Sequence, residues 1–306
     1  MKTFIKLLLL ALPFCIADHL PEPILKYSFN LGRSIGKGNA VIASDDEVHV
    51  FVTATDGSLH IIDNNNVSPP ITTIFEPAAV EGTETECQSG MVVLDEDGQY
   101  LIYAVINGDN SRLLAVDITG DLLWEVSVEG KAVGTPVVSG DFIYVSANTD
   151  DETGYLNVFL FNGKTVAPDF AASMEPSNGA APLGPPTASQ EGVVAVAESW
   201  EGGYAEQGAV YFLMPSKKFD KLGGLGEAAY EMFLATTWPV SSVTKPIVAN
   251  DELWLGGTAG NFAGWQQADI ANVLLGKKED IDPSWSVELT PSASDAMKRK
   301  FHMIYI

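Results

Sequence analysis

Between residues 41 and 269 the same apolar and polar phrase recurs five times: a short apolar strand, a tight polar turn, a second β-rich strand, another turn and a third strand. The copies are VIASDDEVHVFVTATDGSLHIID (41–63), VVLDEDGQYLIYAVINGDNSRLLAVD (92–117), PVVSGDFIYVSANTDDETGYLNVFLF (136–161), PTASQEGVVAVAESWEGGYAEQGAVYFL (186–213) and PIVANDELWLGGTAGNFAGWQQAD (246–269). Marked by the start of the second strand (Val48, Tyr100, Phe142, Val193, Leu253), they are spaced 52, 42, 51 and 60 residues apart. Self-similarity at such a period is the mark of a repeat architecture. Asp56-Gly57, Asp97-Gly98, Gly140-Asp141 and Asn162-Gly163 are hairpin-type dipeptides between these runs.

The middle strands are apolar on both faces, as in Leu101-Ile102-Tyr103-Ala104 and Phe142-Ile143-Tyr144-Val145. That pattern is expected where each sheet is covered by another on either side. The sequence therefore predicts an all-β protein, a β-propeller of four-stranded antiparallel blades with five recognisable blades. Leu25–Leu31 reads as a lone strand, and helix signals are few: 226–236 (GEAAYEMFLAT) reads as a strand rather than a helix. Trp285–Leu289 reads as a further tryptophan strand, before a basic tail, 297–306, that fits no blade phrase. Either the ring closes with five blades, completed by the N-terminal strand, or it is a shortened version of a larger one. An incomplete ring would expose a blade face and invite self-association.

Residues 1–17 have the layout of a secretory signal peptide: two lysines, an apolar core too short to span a bilayer, and a small residue, Ala17, before the cut. The expected domains are the signal (1–17), the propeller (18–296) and the basic tail (297–306), and the expected location is secreted or in the secretory pathway, with no membrane insertion after cleavage. The chain carries a net charge of −23, and losing two lysines and no acid with the signal takes it to −25. Such a charge repels phosphate backbones and anionic lipid, which argues against nucleic acid. Cys15 leaves with the signal, so Cys87 has no internal disulfide partner. A large core must then hold the fold, and 46% hydrophobic residues allow one. Asn66-Val67-Ser68 is the N-glycosylation sequon, with Pro69 directly after it.

One blade junction carries a family resemblance. Ala115-Val116-Asp117-Ile118-Thr119-Gly120-Asp121-Leu122-Leu123-Trp124 resembles the repeat of the quinoprotein-like (PQQ-repeat-like) propellers, with a turn one residue shorter than usual. Residues 134–145 look like the opening of that family's next blade. The resemblance implies Asp117, Thr119 and Gly120 as turn formers and Trp124 as core. The family includes quinone- and calcium-dependent enzymes, many with paired cysteines over the quinone, and scaffolds that bind no cofactor. This chain has no Cys-Cys pair, and no cofactor is expected.

Candidate chemistry is sparse. Gly32-Arg33-Ser34-Ile35-Gly36 matches a nucleophile elbow, but a strand rather than a helix is expected after it. With Asp56-Gly57 as a hairpin tip, His60 falls opposite Thr53 and roughly 13 Å from His49, too far to share zinc. Asp95, Asp97, Asp150 and Asp151 sit in oxygen-rich turns and are the candidates for calcium. Trp200, Tyr204 and Trp265 are aromatics that either anchor a partner or cap blade ends. The favoured reading is a non-enzymatic scaffold that binds a protein or a carbohydrate through its loops. The alternatives are a glycoside hydrolase or quinone-dependent oxidoreductase with its site at a central channel, or a fragment without independent function.

Overall fold

The computed structural model describes residues 35–43, 48–63, 71–94, 100–163, 165–176, 181–189, 192–198, 208–213, 233–238, 246–249, 251–256, 261–274 and 284–288. The chain divides into two compact units, Met1–Gly32 and Arg33–Ile306, and the described residues all lie in the second. The lone strand expected at Leu25–Leu31 and the basic tail lie outside the described residues.

The described chain is all-β apart from one short helix, and its antiparallel sheets follow one another along the sequence. Sheet 1 holds β1 (Ile35–Ala43), β2 (Val48–Ala54), β3 (Leu59–Asp63) and β4 (Ile71–Phe75). Sheet 2 holds β5 (Thr85–Glu86), β6 (Met91–Leu94), β7 (Tyr100–Asn107), β8 (Asn110–Asp117) and β9 (Leu122–Val128). Sheet 3 repeats this with β10 (Lys131–Ala132), β11 (Val137–Ser139), β12 (Phe142–Asn148), β13 (Gly154–Leu160) and β14 (Asp169–Met174). Sheet 4 holds β15 (Thr187–Ala188), β16 (Val194–Ala197), β17 (Gly208–Leu213) and β18 (Phe233–Trp238). Sheet 5 holds β19 (Ile247–Ala249), β20 (Glu252–Gly256), β21 (Asn261–Gln266) and β22 (Trp285–Glu288). Each is a simple meander. In sheets 2 and 3 the first position is shared by two short strands, because β5 and β6 both pair with β7, and β10 and β11 both pair with β12.

The period-2 pattern explains how the sheets stack. On β7, Leu101, Tyr103 and Val105 join Phe51 and Leu59 of sheet 1 in one core layer. Their neighbours Tyr100, Ile102 and Ala104 turn the other way and meet Ile143, Val145 and Phe159 of sheet 3. The alternation repeats on β12, whose Tyr144 packs with Val194, Val196 and Tyr211 of sheet 4. A fourth layer joins Phe212 of sheet 4 to Leu253, Leu255 and Trp265 of sheet 5. A strand buried on both faces has no polar side to offer, so β7 is apolar at every buried position. Successive sheets adjoin near their first strands: β1 lies beside β6, β10 beside β7, β11 beside β15 and β15 beside β19.

Two features were invisible in the sequence. The outer strand of sheets 1 to 4 slips register against its neighbour at an equivalent place, skipping Ile74, Leu123, Ala171 and Ala235. Such bulges bend and twist an edge strand and blunt it against stray pairing. Ile74, Leu123 and Ala171 use the extra position to pack against the core layers. The second is α1 (Gln267–Leu274), which carries an acidic Asp269 in its first turn and buries Ile270 against sheets 4 and 5. Within 226–236, the part that is described, from Phe233 on, is strand as expected.

Candidate functional site

The turns that looked rich in chemistry are built by one recurring device. Asp117 Oδ1 accepts hydrogen bonds from Thr119 N (2.9 Å), Thr119 Oγ1 (2.7 Å) and Asp121 N (2.9 Å). Asp56 Oδ1 likewise accepts from Ser58 N (3.0 Å) and Ser58 Oγ (2.6 Å). Asp151 Oδ1 accepts from Thr149 Oγ1 and from Thr153 N, the latter at 3.4 Å. An aspartate that bonds the backbone two residues on fixes a turn without further help. Burial pushes the Asp117 carboxyl up, but the bonds from Thr119, Asp121 and Gly120 outweigh it and hold the group below its ordinary range. Gly120, at φ +98°, lets this turn rest on the bulge of sheet 1: a Cβ there would lie 2.0 Å from the Ile74 carbonyl oxygen. Asp117, Thr119 and Gly120 are therefore turn formers, and Trp124 is core at 5% exposure.

The calcium candidates divide. Asp95 and Asp97 lie outside the described residues, as does the sequon at Asn66. Asp150 forms an ion pair with Lys131 (2.6 Å), a hydrogen bond that raises the lysine pKa, while Asp151 caps its own turn. Among the described residues no three His, Cys, Asp or Glu side chains gather as a metal site. Arg112 is also spent on structure: it donates to Asn107 Oδ1 (2.8 Å), Glu125 Oε2 (3.2 Å) and the Ala78 carbonyl (2.7 Å).

Ser58, His60 and Asp56 superficially suggest a nucleophile, but their order is wrong for one. Ser58 Oγ gives its proton to Asp56, so its contact with His60 Nε2 (2.9 Å) is accepted from the ring. His60 Nδ1 lies within hydrogen-bond distance of Thr73 Oγ1, at 3.1 Å. Ser58 is 1% exposed, which closes it to any substrate. His60 pairs with Val52, not with Thr53 as the sequence suggested, because the tip between β2 and β3 is longer on one side: Ala54 N bonds Ser58 O and Gly57 N bonds Ala54 O. The nucleophile-elbow match leads into β1, so no helix follows it.

Trp265 must be reassigned. It is fully buried, edge-on to Phe212 at 5.9 Å, and cannot contact a partner; Trp200 and Tyr204 lie outside the described residues. Among the described residues, sequence reasoning missed two exposed aromatics, Phe170, which lies edge-on to Phe159 within sheet 3 at 5.7 Å, and Trp254. Leu253 and Leu255 point into the core beside sheet 4, so Glu252 and Trp254 alternate onto the opposite face of sheet 5. Ile247 stands directly across from Trp254 in the ladder, and the two are 60% and 39% exposed. Glu252 Oε2 accepts from Trp254 Nε1 (3.0 Å) and Oε1 from Gln266 Nε2, which fixes the ring orientation. The signal was present: Ile247 and Trp254 are symmetric about the Asn250-Asp251 turn. The other buried carboxylate, Glu198, accepts from Tyr211 OH (2.7 Å) and Ala209 N (3.2 Å) inside sheet 4.

No family model matches this chain, and no curated protein matches it. Among solved structures it is similar to a putative 6-phosphogluconolactonase from Bacteroides uniformis, at 10% identity and a TM-score of 0.51 over 81% of this chain and 70% of that one. It is also similar to BamB from Moraxella catarrhalis (11% identity, TM-score 0.43, 86% and 80% covered) and to an exo-β-1,3-galactanase from Phanerochaete chrysosporium (7%, 0.43, 88% and 68%). Likeness at such identities is one of fold. Among the described residues no helix is long and apolar enough to cross a membrane.

Proposed function

We propose that this chain is a β-propeller scaffold without catalytic activity that binds a protein partner through the open face of sheet 5. Five consecutive meanders that adjoin near their first strands, with apolar layers between successive sheets, are what blades require, and they support the propeller reading. The leader at 1–17 supports a secretory route.

The observation that carries the binding site is the exposed cross-strand pair Ile247 and Trp254. A ring held in place by Glu252 beside an aliphatic side chain is an anchor of the kind that dominates protein interfaces. Sugar recognition needs hydrogen-bonding groups turned toward the hydroxyls beside the stacking ring. Here the carboxylate oxygens of Glu252 are turned to Trp254 and Gln266 instead, which favours a protein.

The test compares the wild-type chain with Ile247→Ser/Trp254→Ser. Ile247 is mostly exposed, so its change should alter stability by no more than about 0.5 kcal/mol, whereas Trp254→Ser also strips a partner from the buried Glu252 carboxylate and should cost about 1–3 kcal/mol. A protein captured from the secreted fraction by the wild type and lost by the variant, while the variant still unfolds cooperatively well above the assay temperature, supports the proposal. Equal capture by both overturns it. Binding on a glycan array that the variant loses replaces the protein with a carbohydrate, and a dimer that the variant dissolves makes the partner a second copy.

A further inference from the structure

We propose that Asn162 is a site of spontaneous covalent modification, deamidation through a cyclic imide, and that the fold protects the chemically equivalent Asn107. The reaction needs the backbone nitrogen of the following residue to reach the side-chain amide carbon. Glycine permits this best, because it has no side chain to obstruct the approach. Three Asn-Gly pairs occur in the chain, at Asn107, Asn162 and Asn178; the last lies outside the described residues.

The structure treats the two described pairs differently. Asn107 closes β7 and is paired with Asn110 of β8 on one side and Thr85 of β5 on the other. Both ends of its amide are held: Nδ2 donates to Thr85 Oγ1 (2.9 Å) and Oδ1 accepts from Arg112 Nε (2.8 Å). Its glycine has the Thr83 methyl 3.3 Å from where a Cβ would sit. Asn162 lies past the end of β13, outside any ladder. Its amide makes one exposed hydrogen bond, Nδ2 to Asp169 Oδ2 (3.0 Å), and around Gly163 there is open space.

In the reaction the Gly163 nitrogen, losing its proton to solvent base, forms a bond to Asn162 Cγ. The Cγ–Nδ2 bond breaks, and the nitrogen leaves as ammonia with a proton returned by water. Water then opens the imide at either carbonyl to give aspartate or isoaspartate, with no oxidant or reductant involved. The product sets a new carboxylate beside Asp169 and removes the bond tying the β13–β14 connection to β14.

The experiment incubates the full folded chain at mildly alkaline pH, with a parallel sample in urea, and follows the peptides by mass spectrometry and isoaspartate-selective methylation. Unfolded, the two sites react at comparable rates. On folding, the ratio of Asn162 to Asn107 modification rises at least about tenfold, the weight of breaking one additional, partly buried hydrogen bond. Asn162→Gln abolishes the signal in its peptide and leaves Tm unchanged. A ratio that stays the same or falls on folding overturns the proposal, and so does an Asn162 that reacts in urea but not in the folded chain.

Discussion

Gly120 and Gly163 share a backbone angle, φ +98°, but not a surrounding: a Cβ on Gly120 would sit 2.0 Å from the Ile74 oxygen and 2.7 Å from its carbonyl carbon, whereas nothing lies within 4 Å of Gly163. The pair therefore separates conformational strain from contact between sheets. Replacing either by alanine forces a side chain into the left-handed region at about 1–2 kcal/mol. Both changes also reduce unfolded-chain freedom by a similar amount, which cancels in the comparison. Gly120→Ala must in addition push the turn off a backbone that belongs to another sheet, at about 1–3 kcal/mol. We expect Gly163→Ala to cost about 1–2 kcal/mol and Gly120→Ala about 2–5 kcal/mol. Urea unfolding followed by fluorescence and circular dichroism gives both values, with coincident transitions as the check on a single cooperative unit. Costs within about 0.5 kcal/mol of each other would refute the docking of the Asp117 turn on the sheet 1 bulge.

Gly134→Ala should also loosen the stack: φ is +68° there and a Cβ would lie 2.3 Å from Pro185 Cγ in the segment leading to sheet 4, so strain and clash together should cost about 2–5 kcal/mol by the same unfolding assay. The folded-state pKa of Asp117 is depressed, so its stabilisation is complete above the ordinary aspartate range and is lost as pH falls through the lowered value; Asp117→Asn should flatten that acid limb in a pH series of Tm. Cys87 is 2% exposed and burial pushes its thiol up, so a thiol reagent should react only as fast as the chain opens, and addition of urea should accelerate labelling sharply. His60 should carry a proton on Nε2 by nitrogen NMR, and Ser58→Ala, which removes a buried partner, should cost about 1–3 kcal/mol.

The fold was legible where local chemistry decides it. Tyr100–Val105 and Phe142–Val145 are apolar at every step because both faces are covered, and that reads directly from the sequence. The Asp117-to-Trp124 junction was legible because a side chain bonding its own backbone needs nothing from elsewhere. What escaped depends on neighbours distant in sequence. The bulges at Ile74 and Leu123 exist because an adjacent sheet receives the extra side chain, and no period along one strand reports that. The one-residue error at His60 came from counting a tip as symmetric when its bonds make it lopsided. Trp265 and Trp254 look alike in a sequence; only the presence of sheet 4 on one face of sheet 5 distinguishes a core ring from a presented one.

The binding reading stands on one surface, and tryptophan-selective oxidative labelling of the isolated folded chain examines it directly. Trp254, at 39% exposure, should be modified well ahead of Trp124 and Trp265, at 5% and 0%. If Trp254 is instead protected as fully as Trp265, the face of sheet 5 is covered, and the proposal that it receives a protein partner is wrong.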